Sequence, residues 1–108
     1  MLPKLTHKQF LILDLMGSEM AGKGLREKLR KEGEKMSLPA FYQLMSRMED
    51  AKWVKGWYVQ KEIDGQIVRE RRYKPLGLGE RIRMSTLEFY RQRDVQRAGD
   101  HGLQPGRV

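Results

Sequence analysis

At Trp53 the spacing of apolar residues changes, and that change constrains the fold more than any other feature of the chain. Upstream, Phe41, Leu44, Met45 and Met48 stand at i, i+3, i+4 and i+7, the inward stripe of one amphipathic helix. Downstream, Trp57, Val59, Lys61 and Ile63 alternate, and so do Ile67, Arg69, Arg71 and Tyr73. Between the two runs lies Asp64-Gly65, a pair that tolerates the positive φ angles of a tight turn and so predicts a two-stranded hairpin. Pro75 has no N–H to give to a ladder and closes the second strand.

The segments on either side are helical. Thr6 with Gln9 forms a capping-box pattern, and Leu5 is placed to staple against Phe10. Phe10, Leu13 and Met16, with Ile12 and Leu15 beside them, carry a first helix through Met16, and Gly17-Ser18 ends it. A second helix is expected to begin between Ala21 and Gly24. Leu25 and Leu29 share one of its faces, Arg26, Lys28, Arg30 and Lys31 fill the others, and Gly33 stops it. Ser37 is a natural N-cap for the third helix, with Pro39 in its tolerant first turn and an end near Ala51–Lys52. After a short bend bracketed by Gly77 and Gly79, a fourth helix is predicted from about Glu80 to about Arg97, its main apolar members Ile82, Leu87, Phe89 and Tyr90. The order is helix, helix, helix, strand, strand, helix: an α+β chain. It divides into a body over residues 1–76, a C-terminal helix over 77–97 and a tail over 98–108, whose Gly99, Gly102, Pro105 and Gly106 predict disorder.

A chain of 108 residues builds one modest core. Its longest unbroken apolar run is Phe10–Leu13, far short of the roughly 20 residues of a membrane span. The first ten residues, MLPKLTHKQF, lack the apolar stretch and cleavage site of a signal peptide. Cytoplasmic residence with no membrane partner is the expectation. With no cysteine in the sequence, disulfides and thiolate metal sites are excluded. The net charge of +8 and the pI near 10.0 favour an anionic partner. Residues 21–48 carry seven Lys/Arg against three Glu, residues 55–74 carry six against three acidic residues, and the first twenty residues balance to zero. The excess therefore falls on the second and third helices and the hairpin.

Two helices joined by the short Gly33–Ser37 connection have the layout of a helix-turn-helix, in which the second helix enters the DNA major groove. Ser37, Ala40, Tyr42, Gln43 and Arg47 offer the hydroxyl, methyl, amide and guanidinium groups that read base edges. Each has a plainer alternative: Ser37 as a cap alone, Tyr42 as a packed surface aromatic, Gln43 and Arg47 as ordinary solvated positions. Arg69, Arg71 and Arg72 crowd the second strand, with Lys61 and Lys74 nearby, and suit phosphate or minor-groove contact. Alternation sends Arg69 and Arg71 to one face and Arg72 to the other. Ion pairs with Glu62 across the hairpin or with neighbouring Glu70 are the alternative for these arginines. Lys23 and Arg26, near the start of the second helix, are further candidate phosphate contacts. Trp53 reads as core rather than as a stacking platform, Trp57 is left open between the two, and Met36, Met45 and Met48 read as flexible core filler.

Signals for catalysis are poor. His7 and His101 are the only histidines, and no Ser/His/Asp set or two-His metal motif follows. Gly22-Lys23-Gly24 lacks the length and the closing Gly-Lys-Ser/Thr of a phosphate-binding loop. Asp14, Glu49 and Asp50 read as capping or solvated charges. Neither an enzyme nor a cofactor is expected.

With these residues in hand, the chain resembles the PadR-like winged helix-turn-helix transcriptional regulators, in the form with a short C-terminal part. The similar stretches are Gly24-Leu25-Arg26 with Leu29, the run from Ser37 to Glu49, Trp53-Val54, Arg71-Arg72-Tyr73-Lys74 and Leu78-Gly79-Glu80, covering roughly residues 5–95. The resemblance implies a winged helix: three helices, a two-stranded hairpin wing and a C-terminal helix. It implies a DNA-binding homodimer, often a repressor, with DNA contacts at Ser37, Tyr42 and the wing and a dimer interface involving Ile82, Leu87, Phe89 and Tyr90. Two features depart from the family's pattern: the C-terminal part is only one helix, as in the shorter branch of the family, and one position of the reading helix differs. Ala40 stands where a threonine-like residue is usual in the reading helix. The last helix also has no Trp on which a flat aromatic effector, bound by some short members, would stack. A competing reading is a winged helix that contacts proteins rather than DNA, since an acidic protein also suits a basic face and fold alone does not fix function.

Overall fold

The structure is a computed structural model and describes residues 4–102. Its elements are α1 (His7–Met16), β1 (Met20–Ala21), α2 (Gly22–Lys31), α3 (Leu38–Asp50), β2 (Val54–Ile63), β3 (Gln66–Pro75) and α4 (Gly77–Gly102). The capping box at the start of α1 is present in both directions: the Gln9 N–H donates to Thr6 Oγ1 at 3.2 Å, and the Thr6 N–H donates to Gln9 Oε1 at 3.0 Å. The predicted stop of α2 at Gly33 is also formed. Gly33 has φ 88°, its N–H donates to the Arg30 carbonyl, and the Glu34 N–H reaches back to the Leu29 carbonyl. This paired closure lets the chain reverse and enter α3. Ser37 caps α3 by accepting from the Ala40 N–H at 3.2 Å.

α3 ends by the same device without a glycine. Lys52 takes φ 65°, while the Trp53 N–H donates to the Met48 carbonyl and the Lys52 N–H to the Glu49 carbonyl. The chain then enters β2. The hairpin turn carries positive φ at both Asp64 (51°) and Gly65 (78°), and the register Ile63↔Gln66 runs unbroken to Val54↔Pro75.

Three features differ from the sequence expectation. The sheet has three antiparallel strands in the order β1-β3-β2 rather than two, because Met20 and Ala21 pair with Tyr73 and Arg72 on the far edge of β3. α4 begins at Gly77 rather than near Glu80. The Glu80 N–H already bonds the Leu76 carbonyl, and Gly79 lies within the first turn because that turn presses on the Trp53 backbone. A Cβ at Gly79 would overlap the Trp53 carbonyl oxygen, which itself accepts from the Leu76 N–H at 2.9 Å. At its other end α4 continues to Gly102, past the expected stop at Arg97. The expected disordered tail thus begins as helix, and residues 103–108 lie outside the described residues.

One core holds the body together: Leu5, Ile12, Leu13 and Met16, Leu25 and Leu29, Phe41, Met45 and Met48, Val54, Tyr73 and Ile82. The α3 stripe read from spacing is the buried face, with Leu44 partly covered. Trp53 packs against this core partly buried. Tyr73 joins sheet to helices. It pairs with Met20 on one side and Gly56 on the other, and it meets the Phe41 ring edge-on at 6.3 Å. No described helix is long and apolar enough to cross a membrane.

Candidate nucleic-acid interface

Burying Phe41, Met45 and Met48 fixes which side of α3 faces outward. Ser37, Ala40, Tyr42, Gln43, Ser46 and Arg47 are all exposed. Gln43 and Ser46 lie one turn apart near the middle of this face, with Tyr42 and Arg47 on its flanks, as the advance of about 100° per residue requires. Tyr42 rests edge-on against Phe41 at 5.5 Å. Among the described residues Arg47 has no carboxylate within ion-pair distance. The face therefore presents a cap hydroxyl, an amide, a phenol and a free guanidinium.

The two α2 candidates separate. Lys23 is exposed on the first turn. Arg26 is half-buried and donates through Nη2 to the Met36 carbonyl at 3.2 Å, so it braces the α2–α3 turn from inside rather than standing free for a phosphate.

The wing's basic residues are also not equivalent. Lys61 pairs with Glu70 at 2.8 Å across the hairpin. Arg72 pairs with Glu19 at 2.8 Å and with Glu70 at 3.4 Å. The hydrogen bond from Lys61, with Arg72 adding to it, holds the Glu70 carboxyl below its ordinary pKa. The hydrogen bond to Glu19 raises Arg72 above its own. Arg71 pairs with Glu49 of α3 at 2.7 Å. Burial works against its charge, but the Tyr73 hydroxyl and the Glu49 carboxylate outweigh it and leave the Arg71 pKa raised. Burial likewise raises Tyr73, against the pull of Arg71. Of the three wing arginines, only Arg69 lacks an acidic partner among the described residues. It lies over the Tyr58 ring, Cζ 4.2 Å from the centroid, a cation–π contact. Arg71 lies over the same ring at 4.6 Å, so Arg69 and Arg71 share one face as alternation requires.

The partners differ from those expected at three places, the first being the Glu19 partner of Arg72. Glu62 sits opposite Ile67 and pairs with no arginine among the described residues, because the register carries it toward the hairpin tip. Glu49, read as a solvated charge, is the partner of Arg71. Tyr58 was not singled out by the sequence at all. Its signal was available, since a two-residue loop at Asp64-Gly65 fixes Ile63 opposite Gln66 and, counting back, Tyr58 opposite Arg71.

On α4 the four expected interface residues divide as well. Ile82 is fully buried in the chain's own core and has no surface to offer a partner. This corrects its assignment, which ignored that the first turns of α4 cover the body. Leu87, Phe89 and Tyr90 are exposed, together with Met84. Tyr90 meets Phe10 of α1 edge-on at 6.1 Å and Phe89 at 5.7 Å. Among the described residues no group of three or more His, Asp or Glu comes together to hold a metal ion.

The sequence matches no family model and no curated protein. Solved structures do match in shape. A PadR family transcription regulator from hypervirulent Clostridium difficile R20291 superposes with a TM-score of 0.67 at 18% identity, covering 86% of this chain and 97% of that one. A PadR-like transcription factor from Bacteroid fragilis gives 0.66 at 16% identity, covering 87% of each chain. A PadR family transcriptional regulator from Eggerthella lenta DSM 2243 gives 0.60 at 19% identity, covering 91% of this chain and 81% of that one. The chain has the winged-helix fold of these PadR proteins.

Proposed function

We propose that this chain is a sequence-specific DNA-binding transcription regulator of the PadR type, acting as a homodimer and as a repressor. The observation that carries the reading is the exposed polar face of α3, capped by Ser37 and flanked by Arg47, beside a wing that holds Arg69 outward, neither arginine being paired with a carboxylate among the described residues. In this reading α3 enters the major groove, where the Gln43 amide and the Arg47 guanidinium meet base edges. Ser37, at a helix N-terminus, and Lys23 meet phosphates. Arg69 takes the backbone or the minor groove beside the wing. The description of the structural neighbours as transcription regulators supports the same reading.

Dimerisation rests on Leu87, Phe89 and Tyr90, large apolar side chains left exposed on a 26-residue helix that extends well beyond the core it covers. A second copy would cover these side chains and set two α3 helices about one DNA turn apart. Footprinting of the region upstream of the chain's own gene tests the reading. A two-fold-symmetric protected site is the expected result, and the absence of any protected site would refute it.

A further inference from the structure

Arg71 has the sequence profile of a phosphate contact but the surroundings of a strut. Its guanidinium bonds Glu49 at 2.7 Å, with the two side chains only 21% and 24% exposed. The strand passes them at Gly56, where a Cβ would collide with the Glu49 carboxylate, with Arg71 Nη2 at 2.7 Å and with the Tyr73 ring at 2.9 Å. On its outer side Arg71 shares the Tyr58 ring with Arg69. Two guanidinium groups on one ring repel each other unless one is compensated. Glu49 compensates Arg71 and leaves Arg69 as the cation with a free charge. A continuous set of contacts therefore runs from the last turn of α3 to the wing: Glu49, Arg71, Tyr58, Arg69.

We propose that Glu49 and Arg71 are positioning residues that fix the wing to the reading helix and hold Arg69 at the height of the DNA backbone. This rests on the DNA-binding reading above. It makes a prediction of opposite sign to simple electrostatics. Glu49 is an acidic group beside a DNA-binding surface, so its removal should tighten binding if charge alone mattered. If it is a strut, Glu49→Gln weakens binding.

The test has two arms. In the first, DNA affinity is measured for wild type, Glu49→Gln, Arg69→Gln and the double variant. The strut predicts about fivefold or greater weakening by Glu49→Gln and little further loss when Arg69→Gln is already present. Tightening by Glu49→Gln, or independent additive losses, overturns it. Gly56→Ala serves as a second variant, since it crowds the pair without changing any charge, and it should weaken binding in the same way. The second arm needs no DNA. The chain has no cysteine, so spin labels at Ser46→Cys on α3 and Gln66→Cys at the hairpin tip report the wing–helix distance cleanly. One narrow distribution is expected in the otherwise wild-type chain and a broadened one with Glu49→Gln. Unchanged width overturns the strut. If the wild-type chain binds no duplex, the DNA reading fails, and the distance arm alone decides whether the pair sets the wing.

Discussion

Arg69 lies across the ring of Tyr58, its Cζ 4.2 Å from the centroid, on the outer part of a wing whose other arginines are paired with carboxylates of the same chain. A cation held by an aromatic face keeps its full charge while losing rotamer freedom, which suits it to meet a phosphate at low entropic cost. Arg69→Gln should therefore weaken binding to native and scrambled DNA alike. It should reduce the slope of log affinity against log salt by about 1. Fluorescence anisotropy over a salt series reads both quantities. An unchanged slope would remove Arg69 from the interface.

Gly79 is required by contact rather than by backbone angle. Any Cβ there would overlap the Trp53 carbonyl oxygen, and that oxygen is already committed to the Leu76 N–H. Gly79→Ala should destabilise the fold by about 2–3 kcal/mol, since backbone on both sides has no room to yield. Urea unfolding monitored by tryptophan fluorescence gives the value. A loss below about 0.5 kcal/mol, the size of an ordinary surface change, would contradict the packing described at this junction.

Ile82 and Leu87 should behave in opposite ways although both are apolar residues of α4. Ile82 is fully buried in the monomer, so Ile82→Ala should cost roughly 3 kcal/mol of stability. Leu87 is exposed, so Leu87→Ser should leave the secondary structure intact and shift sedimentation toward monomer. Sedimentation velocity together with circular dichroism separates the two effects. If Leu87→Ser leaves the oligomeric state untouched, this face of α4 is not the interface.

Lys52 closes α3 with φ 65°, a conformation that costs a non-glycine residue about 1 kcal/mol. Lys52→Gly relieves that cost and raises the entropy of the unfolded chain, so a net stabilisation of about 0.5 kcal/mol is expected. Thermal unfolding checks it, and destabilisation would show that the Lys52 side chain contributes more than its backbone costs.

Much of the architecture was legible in the sequence because its signals are local. The capping box at Thr6, the stop at Gly33, the Ser37 cap and the Asp64-Gly65 turn each act within a few residues, and the α3 stripe has a period that only one face can satisfy. β1 was not legible. Two residues carry no alternation, and Met20 and Ala21 become a strand only because the far edge of β3 lies beside them. The start of α4 was misplaced because glycine reads as a bend, whereas Gly79 is there for close approach to Trp53, a contact across more than twenty residues. In the candidate site, the outward residues of α3 followed from periodicity. The fate of each wing arginine did not. Alternation gives the face but not the partner, and Glu49 and Glu19 reach Arg71 and Arg72 only through the tertiary fold.

The outward face of α3 is proposed to read DNA sequence. The most direct test is equilibrium binding of the purified chain to its own upstream duplex and to a scrambled duplex of equal length, at about 150 mM salt, where non-specific phosphate contacts are weakened. Preference for the native duplex, with that preference reduced by Arg47→Ala and Gln43→Ala, is the predicted result. Equal binding to both duplexes, or a preference that survives both substitutions, would contradict it.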